Sequence, residues 1–242
     1  MDIVIVGGPH SGVGKTLAAE IAVRALAGRS AGAIKLTVAD GERDATHDHG
    51  GSALSVADAA GICGRGDSCG VCETVSARVP SRLILSEGAI RKPTTDTCRL
   101  HDAGAVAVAW IIALRPAAPQ AVEQAIAQLE RRGAKMIIIE GTTALEWLKP
   151  RASVMVVTEP GRRWKDVAIR YADACDIVLL NRLPIAPGDI AAPVALASLH
   201  PVRCNLSDPA DPGTTEYVRR LRTLCGVSGQ TPSSAGAVIS GN

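Results

Sequence analysis

The sequence predicts an α/β fold: a doubly wound, mainly parallel sheet with helices on both faces. Three observations carry this. Apolar runs of strand length alternate with helical periods along most of the chain, which implies successive βαβ units. The first apolar run, Ile3-Val4-Ile5-Val6, passes at once into a glycine-rich stretch, Gly7 to Gly14, and then into a helix. The 242 residues include no Phe and only 2% aromatics, so Val, Ile, Leu and Ala must form the core, which suits a parallel sheet covered on both sides.

The elements follow in order. Residues 3–6 read as a buried strand, 15–29 as a well-covered helix and 32–39 as a second strand ending at Asp40. The pattern then breaks. Residues 41–93 are rich in Gly, Asp, Ser, Thr and Cys and form a candidate insert, with a short helix expected near 52–60 and a strand at 82–85. Alternation resumes with a helix at 97–103, a strand at 105–114 and a helix at 119–132. Ala121, Val122, Ala125, Ile126 and Leu129 share one face of the last, and Gly133 stops it. Strands at 135–140 and 153–158, a helix at 163–174 and a strand at 176–181 come next. Residues 194–199 fit a strand or a helix, and 215–224 close the domain as a helix. One domain over 1–225 is expected, followed by a disordered tail of small residues at 226–242.

Composition narrows the functional classes. The net charge is +2, and no basic stripe is interleaved with aromatics, so nucleic acid is not an expected partner. No apolar run reaches membrane-spanning length, and the N-terminus lacks the pattern of a signal peptide. A cytoplasmic protein is expected, and in that reducing compartment seven cysteines are seldom disulfides.

The stretch Gly8-Pro9-His10-Ser11-Gly12-Val13-Gly14-Lys15-Thr16 has the chemistry of a phosphate-binding P-loop. A glycine-rich turn entering a helix offers converging N–H donors and the positive end of the helix dipole. Gly12, Val13, Gly14, Lys15 and Thr16 are the expected nucleotide contacts, with Lys15 on the β- and γ-phosphates and the Thr16 hydroxyl on Mg²⁺. The usual spacing, G-x-x-x-x-G-K-[ST], would put a glycine where Pro9 stands; here that glycine comes one residue earlier, at Gly8. A second expected part is the strand Met136-Ile137-Ile138-Ile139-Glu140-Gly141, whose terminal acid suits a magnesium ligand. Asp40, at the end of the second strand, is the candidate for orienting water or holding the metal, with Asp44 as its competitor.

The loop G-x-x-x-G-V-G-K-T resembles that of dethiobiotin synthetases. Ala33-Ile34-Lys35, the run Lys92-Pro93-Thr94-Thr95-Asp96-Thr97-Cys98-Arg99 leading to Ala103-Gly104-Ala105, and Glu140-Gly141 together resemble the molybdopterin-guanine dinucleotide biosynthesis adaptor GTPases, the MobB family. The resemblance covers residues 1–40 and 90–160 and implies site roles for Asp96, Thr97 and Arg99. The chain differs where Leu36-Thr37-Val38-Ala39-Asp40 replaces a His-rich run. Farther on, residues 176–182 look like the base-contacting strand of related NTPases, making Asn181 a candidate base contact. Arg182 stands where lysine is usual, so ATP and GTP both remain open.

Cys63-x5-Cys69-x2-Cys72 lies in the polar insert, and Cys98 follows downstream. Four thiolates at such spacing fit Zn²⁺ or an iron–sulfur cluster, and a metal would pin a loop too polar to fold by burial. Cys175, Cys204 and Cys225 read as small core residues, and His47 and His49 as part of an exposed polar loop.

The expected function is a nucleoside triphosphatase in metal-cofactor biosynthesis or delivery, coupling hydrolysis to the cysteine-bound centre. Its partner would be a small-molecule cofactor precursor or a client metalloprotein, and a homodimer is expected. The alternative is an ATP-dependent carboxylate-activating enzyme resembling dethiobiotin synthetase.

Overall fold

The computed structural model describes residues 1–39, 74–159, 164–182 and 196–227. Asp40, Asp44, His47, His49, Cys63, Cys69, Cys72, most of the expected insert and residues 228–242 lie outside them.

The chain runs β1 (Asp2–Gly7), α1 (Lys15–Ala25), β2 (Ala31–Ala39), β3 (Ser81–Ile84), α2 (Glu87–Ile90), α3 (Asp96–Asp102), β4 (Val108–Leu114), α4 (Ala118–Arg131), β5 (Met136–Glu140), β6 (Ala152–Val157), α5 (Asp166–Tyr171), β7 (Ile177–Asn181), β8 (Val202–Cys204) and α6 (Pro212–Leu224). The described strands form one eight-stranded sheet in the order β3-β4-β2-β5-β1-β6-β7-β8. Every pairing is parallel except that of β3 with β4 at one edge. The mainly parallel α/β expectation therefore holds.

Alternate residues of each central strand feed two cores, as the two-residue period of a strand requires. Val4, Val6, Ala33, Ile138 and Val154 pack beneath α1, α3 and α6. Ile5, Ile34, Leu36, Ile137 and Ile139 pack beneath α4 on the other face. Tyr217 of α6 is fully buried and donates from its hydroxyl to the Ala18 carbonyl at 3.0 Å, tying α6 to α1.

Several boundaries differ from expectation for local reasons. α1 stops at Ala25, and a 3₁₀ turn at Ala27–Arg29 leads to Ser30 in the left-handed region (φ 49°). Residues 194–199 were expected as a strand or helix; within them a 3₁₀ turn covers Leu196–Leu199, and the strand is the later β8. α5 is shorter than the expected 163–174. None of the described helices is long and apolar enough to cross a membrane.

β1, β2 and β5 lie side by side at the centre, so their carboxyl ends open on one crevice, where ligands of open α/β sheets gather.

Candidate functional site

That crevice is a cavity of about 640 Å³, walled by the glycine-rich loop, the ends of β2 and β5, Trp110 and the start of α3. Gly14 caps α1 with φ 101°, a backbone state that disfavours any side chain. A Cβ there would also stand 2.6 Å from Asn181 Nδ2. Gly8 is required for space: a Cβ would lie 2.8 Å from the Val156 carbonyl oxygen and 2.7 Å from Val13 Cγ2. The glycine one residue early is thus fixed by the neighbouring strand β6. α1 begins with no acidic residue in its first turn and no side-chain cap, which leaves its N-terminal dipole uncompensated by its own sequence.

Two side chains pin the loop from below. Thr142, just past β5, accepts from the Gly8 N–H at 2.9 Å and donates to the Gly8 carbonyl at 2.8 Å. Asn181, at the end of β7 and 1% exposed, donates to the Val13 carbonyl at 3.0 Å and accepts from the Leu206 N–H at 3.1 Å. Both ends of its amide are therefore engaged with backbone. Sequence reasoning gave Thr142 no role, because a threonine after a strand has no distinguishing local pattern. Arg182 pairs with Asp211, which caps α6 through the Gly213 and Thr214 N–H groups. Burial raises the Asp211 carboxyl, but the backbone donors Gly213, Asn205 and Thr214, together with Arg182, outweigh it and hold it below the usual range.

At the ends of β2 and β5, acidic and basic side chains meet the first turn of α1. Lys15 arches over its own loop, with Nζ donating to the His10 carbonyl at 2.5 Å. The Thr16 hydroxyl oxygen is 3.1 Å from both Asp96 Oδ1 and Glu140 Oε1. One hydroxyl proton can serve only one of them at a time. Lys35 Nζ sits 2.5 Å from Glu140 Oε1 and 2.6 Å from Asp96 Oδ2. Glu140 is 1% exposed, and its Oε2 has no hydrogen-bond partner among the described residues. Burial pushes the Asp96 carboxyl up, but the charge and hydrogen bond of Lys35, the Thr16 hydroxyl and Arg99 outweigh it and hold it below the ordinary carboxylate range.

Of the α3 candidates, Asp96, Thr97 and Arg99 all line the cavity. Thr97 turns its hydroxyl to the Ile90 carbonyl at 3.0 Å, a structural bond. Arg99 Nε is 2.6 Å from Oε1 of Glu20, a mostly buried acid of α1 that Arg24 also meets at 3.3 Å. Cys98 does not line the cavity; its Sγ donates to Asp102 Oδ2 at 3.4 Å. Loss of hydration and that carboxylate neighbour raise its thiol pKa.

Glu140, Asp96 and Thr16 offer hard oxygen donors, the set Mg²⁺ prefers, and the orphaned Glu140 oxygen gives such an ion a reason to bind. Among the described residues, no group of three or more His, Cys, Asp and Glu side chains is placed to hold a metal. The pair of carboxylates with Thr16 is smaller than such a group. A four-cysteine centre would need Cys63, Cys69 and Cys72. No protein-family model, curated protein or solved structure matches the chain, so this geometry and the sequence motifs carry the functional reading.

Proposed function

We propose that the chain is a Mg²⁺-dependent nucleoside triphosphatase of the P-loop type. The observation behind this reading is the meeting of Thr16, Asp96 and Glu140 at the first turn of α1, beside a glycine-rich loop fixed by Thr142 and Asn181. The loop amides and the N-terminus of α1 would receive the phosphate chain. Lys15 would leave the His10 carbonyl for the β- and γ-phosphates. Thr16, Glu140 and Asp96 would hold Mg²⁺, which supplies neutralisation of the charge that develops on the phosphate oxygens. Asp40 follows β2 directly in sequence and would orient the attacking water. ATP and GTP are both admitted. The test is phosphate release from each, with and without Mg²⁺, by wild type and Lys15→Ala. Mg²⁺-dependent release that Lys15→Ala loses is expected, and release indifferent to both would refute the reading.

The proposed task is metal-cofactor biosynthesis or delivery, with hydrolysis coupled to a zinc or iron–sulfur centre on Cys63, Cys69, Cys72 and Cys98. The close cysteine spacing and the MobB-like segments support it. Metal and sulfide content of protein purified without oxygen tests the centre. Hydrolysis rates that do not change when the metal is removed would sink the coupling.

The cavity favours one second reading. Among the described residues it extends past the loop to Lys35, Thr37 and Trp110, a space that another reactant beside the phosphates would use. A carboxylate-activating enzyme would use that space. Phosphate release that rises only when a carboxylate substrate is added would select it.

A further inference from the structure

Lys35 sits in the middle of β2, a strand covered on both faces. Lysine is almost never buried without a partner, and this side chain is only 15% exposed. Register explains the placement. Lys35 stands directly opposite Glu140 in the β2–β5 pairing, and Asp96 reaches the same ammonium from the start of α3. Two carboxylates thus share one ammonium, and the trio keeps a net charge of −1. Within it, Oε2 of the buried Glu140 has no hydrogen-bond partner among the described residues.

The oxygens that Lys35 holds are those assigned above to the divalent metal. We propose that Lys35 is a resident counter-cation of the metal site, one that a divalent ion must displace before it can bind Glu140 and Asp96. This inference rests on the proposed role of Thr16, Asp96 and Glu140 as the metal site.

Displacement has a definite cost. A metal at the carboxylates repels the ammonium, and an expelled ammonium with no anion nearby loses both of its charge partners. A phosphate chain in the loop supplies that anion. The flexible four-carbon stem of lysine lets the ammonium move from carboxylate to phosphate without moving the strand. Metal and nucleotide should therefore bind as a coupled pair, while metal alone is resisted.

The test uses Mn²⁺ as the probe, followed by electron paramagnetic resonance, on the full chain freed of metal and nucleotide. Lys35→Met removes the ammonium. Lys35→Gln also removes it but keeps a neutral donor beside Glu140, which guards against a fold lost to an unpaired carboxylate. Both variants should bind Mn²⁺ about tenfold or more tightly than wild type without nucleotide. They should also lose most of the affinity gain that a non-hydrolysable nucleotide gives wild type. Adding Glu140→Gln to Lys35→Gln should abolish the tightened site. If Lys35→Gln binds Mn²⁺ no tighter than wild type, while wild type forms its Mn²⁺–nucleotide complex, Lys35 is not the competitor and the inference fails alone. Tight Mn²⁺ binding retained by the double variant would place the ion elsewhere and also overturn it. Wild type that binds no Mn²⁺ even with nucleotide would remove the metal-site reading, and the inference with it.

Discussion

The two flanks of the glycine-rich loop treat their polar groups in opposite ways. On the β7–β8 side, Asn181 spends both ends of its amide on backbone, and Asp211 is met by Arg182 and two N–H groups of α6. Among the described residues there, these polar groups are met by protein partners. On the β2–β5 side, two carboxylates share one lysine, one hydroxyl faces two acceptors, and a buried oxygen of Glu140 has no donor. A satisfied flank holds the loop in shape, while the under-satisfied flank keeps a demand for positive charge. The contrast marks the β2–β5 side as the flank whose polar groups are left under-satisfied.

Substitutions on the two flanks should therefore separate activity from stability. The largest effect is expected for Lys15→Ala, which should lower nucleotide hydrolysis on the order of 10²- to 10³-fold while leaving the melting temperature near wild type. Glu140→Gln should lower it by about 10²-fold, with metal affinity falling in parallel in an Mn²⁺ titration. On the opposite flank, Asn181→Ala strands the Val13 carbonyl and the Leu206 N–H. Denaturant unfolding should show a loss of about 2 to 4 kcal/mol. Thr142→Val, which leaves both polar atoms of Gly8 unpaired, should cost about 1 to 3 kcal/mol by the same assay. Equal losses of stability on both flanks would erase the comparison.

A smaller effect concerns acid. The Asp96 carboxyl is held below its ordinary value of 3.8. A carboxyl depressed in the folded state stabilises the fold above its unfolded value, and that contribution fades as pH falls through the folded one. Wild type and Asp96→Asn should thus differ in melting temperature at neutral pH, by a gap that shrinks progressively as pH falls below about 4. A gap that persists unchanged into acid would mean that Asp96 acts by packing rather than by charge.

Much of the central fold was legible in the sequence because it is locally encoded. The apolar runs of β1, β2, β5, β6 and β7 and the helical period of α4 each carry their own signal. β8 was missed because only three residues, Val202-Arg203-Cys204, pair with β7, too few to show a period. The site was partly legible. Lys15, Thr16 and Glu140 follow from motif spacing, and Asp96 and Arg99 from resemblance. The union of Lys35, Asp96 and Glu140 was not, since residues 61 and 44 positions apart meet only through sheet register and the seating of α3. Glu20 escaped notice for a similar reason. A glutamate inside a helix reads as a solvated residue until α3 places Arg99 against it. Of the four expected thiolate ligands, Cys98 alone lies among the described residues.

The most direct test of the central claim is calorimetric titration of non-hydrolysable ATP and GTP analogues into wild type and Lys15→Ala, each with and without Mg²⁺. The account predicts that wild type binds at least one analogue with Mg²⁺, more weakly without it, and that Lys15→Ala binds neither. Wild type that takes up neither analogue, or a Lys15→Ala protein that binds as wild type does, would contradict it.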